Sequence, residues 1–174
     1  MKKAFLSLLS FFLIVCSSFA QTAGTADKLY KHAGQVLDVK IVKVGEFSIT
    51  YKFPGEDAEQ VISKLAVAKV SYSSGRTEDI SEKVVVSGKD DWENVQVLTD
   101  NAQVVGLKKG DEVRGKTSGM FSYNSAGSAD KKASRKIREA AAEAGAPFIL
   151  LTSDKSDGFG VKQSIKNGVM YSYK

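Results

Sequence analysis

The sequence predicts an α+β protein in two parts: a small β-barrel module, then a β-β-α-β-β domain with one helix packed on an antiparallel sheet. Three observations carry this. Between residues 27 and 86 the apolar residues recur with period two. The run Ala129–Asp154 reads as one helix, one stop signal and one buried strand. Near the carboxy end, Asn167-Gly168 sits between two alternating stretches.

The first twenty residues are expected to lie outside the fold. Lys2 and Lys3 give a positive start, Ala4 to Val15 is apolar apart from serines, and Ser18-Phe19-Ala20 places small residues at −3 and −1. This pattern predicts a secretory signal peptide over residues 1–20, cut before Gln21. The apolar run is too short for a spanning helix. Cys16 raises a lipid anchor as an alternative, but Val15 stands where a lipobox has a small residue. The chain so processed is expected to reach the periplasm or the exterior of a Gram-negative bacterium. It holds no cysteine, so neither disulfides nor thiol chemistry. Its formal charge falls from +5 to +3 without Lys2 and Lys3. That excess is too small for a nucleic-acid-binding balance.

Residues 27–86 form the expected barrel module. Leu37, Val39 and Ile41 alternate with Asp38 and Lys40. Phe47, Ile49, Tyr51 and Phe53 alternate with Ser48, Thr50 and Lys52, and Ala68, Val70 and Tyr72 with Lys69 and Ser71. Each run predicts a half-buried strand. Pro54-Gly55 and Ser73-Ser74-Gly75 supply tight turns. Close turns and no long helix suit a strongly bent sheet or barrel. The frames Gly34–Ile41, Ile49–Lys52 and Val70–Gly75 make the stretch from Tyr30 to Ile80 resemble SH3-like barrel modules of exported Gram-negative proteins. The resemblance implies a fold and an export route, not a reaction.

Glu78 to Asp91 reads as the passage between the parts, and residues 92–174 as the second domain. Trp92 opens a strand with Val95 and Val97 on one face. Val104–Leu107 is a short apolar piece, and Glu112–Thr117 a further strand. The helix follows a Gly/Ser-rich loop, Ser118–Ser128. Ala133, Ile137, Ala140, Ala141 and Ala144 recur at three- and four-residue steps and predict its buried face. Ser128 or Asp130 caps its start, and Gly145 suits a left-handed stop. A face built mostly of alanine brings the helix backbone close to the sheet. Phe148–Leu151 predicts a central strand covered on both faces. The last strands are Val161–Ile165 and Val169–Tyr173, joined as a hairpin at Asn167-Gly168. The junction Ala141–Ala146 followed by Phe148–Leu151 resembles the signalling domain of the outer-membrane stress-sensor lipoprotein of the Rcs system, and YbjQ-like domains. The Rcs domain relies on disulfides, and this chain departs from it by having no cysteine after residue 16.

Several stretches invite chemistry. Gly110–Thr117 matches G-x-x-x-x-G-K-[ST] literally. A phosphate loop needs a buried strand before it and a helix starting at its lysine. Here Lys108-Lys109 precede it, Ser118-Gly119 follow it, and Asp111 and Glu112 repel phosphate. A turn and a polar strand are expected instead. Asp154, Asp157 and Gly158 echo a calcium loop, but Ser153 and Lys155 replace two acidic ligands, so a plain loop is expected. His32 is the single histidine, which excludes a histidine metal cluster. No G-x-S-x-G elbow accompanies it.

The remaining candidates are surfaces. Lys131, Lys132, Arg135, Lys136 and Arg138 crowd the helix start, against its dipole. They form a candidate surface for an anion or a partner, weighed against a plain solvated face. Tyr30, Tyr51, Tyr72, Tyr171, Tyr173 and Trp92 read as packing. Phe121 and Tyr123, in the Gly/Ser-rich loop, are candidate contact aromatics. The functional expectation is an exported, non-catalytic binding or assembly module of the cell envelope. It would have no cofactor and no metal, and an unknown protein or envelope polymer as partner. The rival expectation is an envelope stress or signalling component acting by protein contact. Enzyme chemistry has only the phosphate-loop coincidence behind it.

Overall fold

The computed structural model describes residues 26–117, 126–157 and 163–173. The expected signal peptide, Cys16, Phe121 and Tyr123 lie outside them. The described chain is α+β, with two sheets and one main helix. Among the described residues no helix is long and apolar enough to cross a membrane.

The first sheet has six strands. They are β1 (Asp27–Lys31), β2 (Val36–Val44), β3 (Ser48–Lys52), β4 (Glu59–Ser63), β5 (Val67–Ser71) and β6 (Thr77–Asp79). Their order is β4-β3-β2-β1-β5-β6, and every pairing is antiparallel. The period-two runs at Leu37, Ile49 and Val70 all fall in strands. The expected closed barrel does not form, because β4 and β6 are edges of an open sheet. Leu29, Val39, Ile49, Ile62, Val67 and Val70 make its core face. Asp27 anchors the bend. Its carboxylate accepts from the N–H of Ile41 and from that of Ser73, both at 2.8 Å.

The second sheet contains β7 (Gln96–Leu98), β8 (Lys108–Lys116), β9 (Phe148–Asp157) and β10 (Gln163–Ser172), in the order β7-β9-β10-β8. The helix α1 runs Ala126–Glu143, between β8 and β9. The order of element types is the expected β-β-α-β-β, but four details differ from expectation.

First, Asn167-Gly168 is not a turn. It lies inside β10, and neither residue has the positive φ that a type I′ turn requires. Gly168 serves close packing instead. A Cβ there would lie 2.6 Å from Ile149 Cγ2 and 2.9 Å from the Leu150 carbonyl oxygen.

Second, the sheet is mixed rather than antiparallel, since β7 pairs with β9 in parallel. With no hairpin inside β10, the flank of β9 is left for a strand from earlier in the chain. Third, Trp92 does not open a strand. It belongs to a 3₁₀ segment, Lys89–Asn94, that packs on α1. Asn101–Val104, which runs into the short apolar piece Val104–Leu107, is a second such turn.

Fourth, the helix starts earlier and turns differently than expected. Ser128 and Asp130 are inside it and do not cap it. Its buried row is Ala129, Ala133, Ile137 and Ala141, with Ala142 beside them, while Ala140 and Ala144 face solvent. The row follows four-residue steps, so its members stack one above another on a single face. The stop at Gly145 is as expected. Its φ is 67°, the Gly145 N–H donates to Ala142 O at 3.0 Å, and the Ala146 N–H donates to Ala141 O at 2.8 Å.

The second sheet is buried on both faces where it is central. Ile149 and Met170 meet the helix, with Val113 and Ile137. Phe148, Leu150, Leu98 and Leu107 join the core of the first sheet. The expected passage, Glu78 to Asp91, therefore lies between the two sheets but does not separate their cores.

Candidate functional sites

The five basic residues of α1 do not converge. Helical spacing places Lys131, Arg135 and Arg138 on one row and Lys132 and Lys136 on another. Arg135 is held by Glu139, with Nε 2.6 Å from Oε1, and its guanidinium lies 5.0 Å from the Trp92 ring centroid. Lys136 donates to the Lys116 carbonyl oxygen at 2.9 Å. Arg138 is half-buried, and its Nε lacks a hydrogen-bond partner among the described residues. The row is thus partly neutralised and partly spent on tying the helix to its surroundings.

The phosphate-loop match is an extended strand. Gly110 to Lys116 lies within β8, paired antiparallel to β10 through Val113↔Gly168 and Lys116↔Ile165. Its amides serve a ladder and do not converge on an anion. The calcium-like stretch is also strand: Ser153, Asp154 and Lys155 lie in β9, not in the expected loop.

Asp154 has a partner that sequence reasoning missed. A bulge at Thr152 puts Leu151 opposite Gly168 and Ser153 opposite Asn167, so Asp154 turns to the helix side opposite Lys166. Lys166 is 6% exposed. Its ammonium lies 2.5 Å from Asp154 Oδ2 and 2.9 Å from Asp130 Oδ1 on α1. Ser164 Oγ is 3.3 Å from Asp130, and Ser164 exchanges hydrogen bonds with Thr117. Burial works against the charged amine, but the two carboxylates outweigh it and raise its pKa. The group is a polar clasp between the helix start and β9–β10. A protonated amine held by two carboxylates is no nucleophile. The one sequence signal was a lysine at an inward position, visible only if residues 163–172 are read as a single strand.

His32 makes the other unexpected contact. Its Nε2 is 2.9 Å from Ser81 Oγ. The Ser81 hydroxyl lies 2.8 Å from Val67 O and 3.0 Å from Lys64 O, and a carbonyl only accepts. The hydroxyl proton therefore goes to the backbone, and Nε2 carries the proton donated to Ser81. That is the reverse of an activated serine. The imidazole also packs 5.2 Å from Tyr173, whose ring is edge-on to Phe148 at 5.5 Å and whose hydroxyl accepts from the Val84 N–H at 2.8 Å. These contacts join the carboxy-terminal strand to the first sheet.

No family model, no curated protein and no solved structure matches this chain. Among the described residues no group of three or more His, Cys, Asp or Glu is placed to hold a metal ion.

Proposed function

We propose that this protein is an exported, non-catalytic binding or assembly module of the bacterial cell envelope, acting by contact with another protein. The SH3-like resemblance of residues 30–80 belongs to this reading, with the module as an open sheet rather than a closed barrel.

The observation that supports it is an apolar corner at the free edge of the first sheet. Val61 on the edge strand β4 is 46% exposed, Phe47 is 37% exposed and Val105 is 39% exposed. All three are gathered at the end of β4. The Ser63 N–H donates to Val105 O at 2.8 Å and the Lys64 N–H to Phe47 O at 2.9 Å. Large apolar side chains left in water beside a strand edge that is only partly covered are a common basis for protein contact.

The test is cross-linking in the native envelope, with a photoreactive residue at Val61. A discrete cross-linked neighbour is expected, and Phe47→Ser together with Val105→Ser should remove it while thermal stability is kept. A protein that captures no neighbour from its own envelope is not such a module.

A further inference from the structure

The face of the second sheet that points away from α1 has two zones. Phe148, Leu150 and Tyr171 lie beneath the first sheet. Beyond them the same face carries the exposed residues Arg114, Lys116 and Lys155. Lys116, Ile165 and Lys155 are directly opposed across β8, β10 and β9, and in the next row so are Arg114, Asn167 and Ser153. Alternation puts these six on one side, since Gly115, Lys166 and Asp154 take the helix side.

Arg114, Lys116 and Lys155 are exposed, and none forms an ion pair among the described residues. With strands about 4.8 Å apart, Lys116 and Lys155 stand about 10 Å apart, and Arg114 is about 7 Å from Lys116 along β8. The half-buried Ile165 and Asn167 lie between them. Along β8 the next carboxylate on this face is Glu112, one pair closer to the first sheet.

We propose that this ledge binds an acidic polysaccharide. Three unpaired cations set in two dimensions suit carboxylate or sulfate groups on successive sugars. The Asn167 amide and Ser153 hydroxyl suit the sugar hydroxyls between. Other partners fit less well. The first sheet stacks on this same face and stands about 10 Å above it, so a flat membrane meets that sheet before it reaches the ledge. Lys136 occupies the outward carbonyl of Lys116, which obstructs an added peptide strand. Asp111 and Glu112 interrupt the basic track along β8 that a nucleic acid would follow. This ledge is a second surface, apart from the apolar corner at β4, so cross-linking at Val61 succeeds or fails independently of it.

The experiment is calorimetric titration of the full chain with size-fractionated heparin oligosaccharides at low salt, repeated with polygalacturonate. Binding that weakens steeply with added salt is expected. The triple variant Arg114→Gln, Lys116→Gln, Lys155→Gln should bind about tenfold more weakly with its thermal transition kept, the sum of three exposed ion pairs. A control, Lys131→Gln with Arg135→Gln on the helix, should bind as the native chain does. The proposal is overturned by no glycan binding, by a triple variant that binds equally, or by loss of binding only in the helix control. It is also overturned if duplex DNA or acidic vesicles bind through Arg114, Lys116 and Lys155 more tightly than the glycan.

Discussion

Gly115 of β8 lies directly under Ala133 of α1. A Cβ on Gly115 would collide with the Ala133 carbonyl oxygen and sit 2.7 Å from Ile137 Cγ2. The helix backbone rests on the strand with no side chain between them, which is what an alanine-lined face permits. Gly115→Ala should therefore lift the helix and destabilise the fold by about 2–3 kcal/mol, the upper range for overpacking. Chemical denaturation measures it. Ile137→Asp should cost more, because it sets a charge at a fully buried position. An unchanged midpoint for Gly115→Ala would mean that α1 does not sit this close to β8.

The clasp around Lys166 predicts an asymmetry. The side chain of Lys166 is 7% exposed, whereas those of Asp130 and Asp154 are 43% and 47% exposed. Lys166→Met leaves two carboxylates that water can solvate, and should cost about 1–2 kcal/mol. Asp130→Asn with Asp154→Asn leaves a buried ammonium without a counter-charge, and should cost about 3 kcal/mol or more. The pH dependence separates the two states of the lysine. In the native chain its pKa is raised, so its contribution is present below the unfolded value of 10.5 and fades as pH rises through the folded value. In the double variant burial acts alone, and stability should instead increase toward alkaline pH. Equal costs for the two variants would contradict the clasp.

Asp27 should govern part of the acid limb. Burial pushes its pKa up, but the N–H donors of Ser73 and Ile41, with Lys40 nearby, outweigh this and hold it below the ordinary value of 3.8. A depressed carboxylate contributes stability that is present above the unfolded pKa and lost as pH falls through the folded one. Asp27→Asn should lower stability near neutral pH and reduce the loss below pH 3.8. Stability curves of the two proteins that run parallel through acid pH would exclude this role.

His32 predicts a milder slope at higher pH. Burial lowers its pKa below 6.5, Lys83 lowers it further, and the Ser81 contact opposes both. The neutral ring is thus the folded form. Its contribution is full above 6.5 and is lost as pH falls from there through the folded value. His32→Gln should flatten that part of the stability profile and leave the region above pH 7 parallel to native. Nuclear magnetic resonance of the ring should find Nε2 protonated at neutral pH.

Local signals made the secondary structure legible where one face is wet. The alternation of Leu37, Val39 and Ile41, and of Ile49 and Tyr51, marked strands because half-buried strands must alternate. The helix and its stop were readable because Gly145 closes it through two local hydrogen bonds. Trp92 misled because an aromatic residue beside valines reads as strand, while its ring is used against Arg135.

By itself, the amino-acid sequence determined the α+β composition, the helix with its glycine stop and the buried strand after it. These depend on periodicity and on contacts within a few residues. Only the tertiary structure decided that Asn167-Gly168 continues a strand, that β7 joins in parallel, that Lys166 is buried between two aspartates, and that Arg114, Lys116 and Lys155 share one open face. The reason is physical. A strand's partner, its bulges and the face each side chain takes depend on residues far away in the chain. A shift of one residue in register, such as the bulge at Thr152, exchanges inside for outside without leaving a mark on the local sequence.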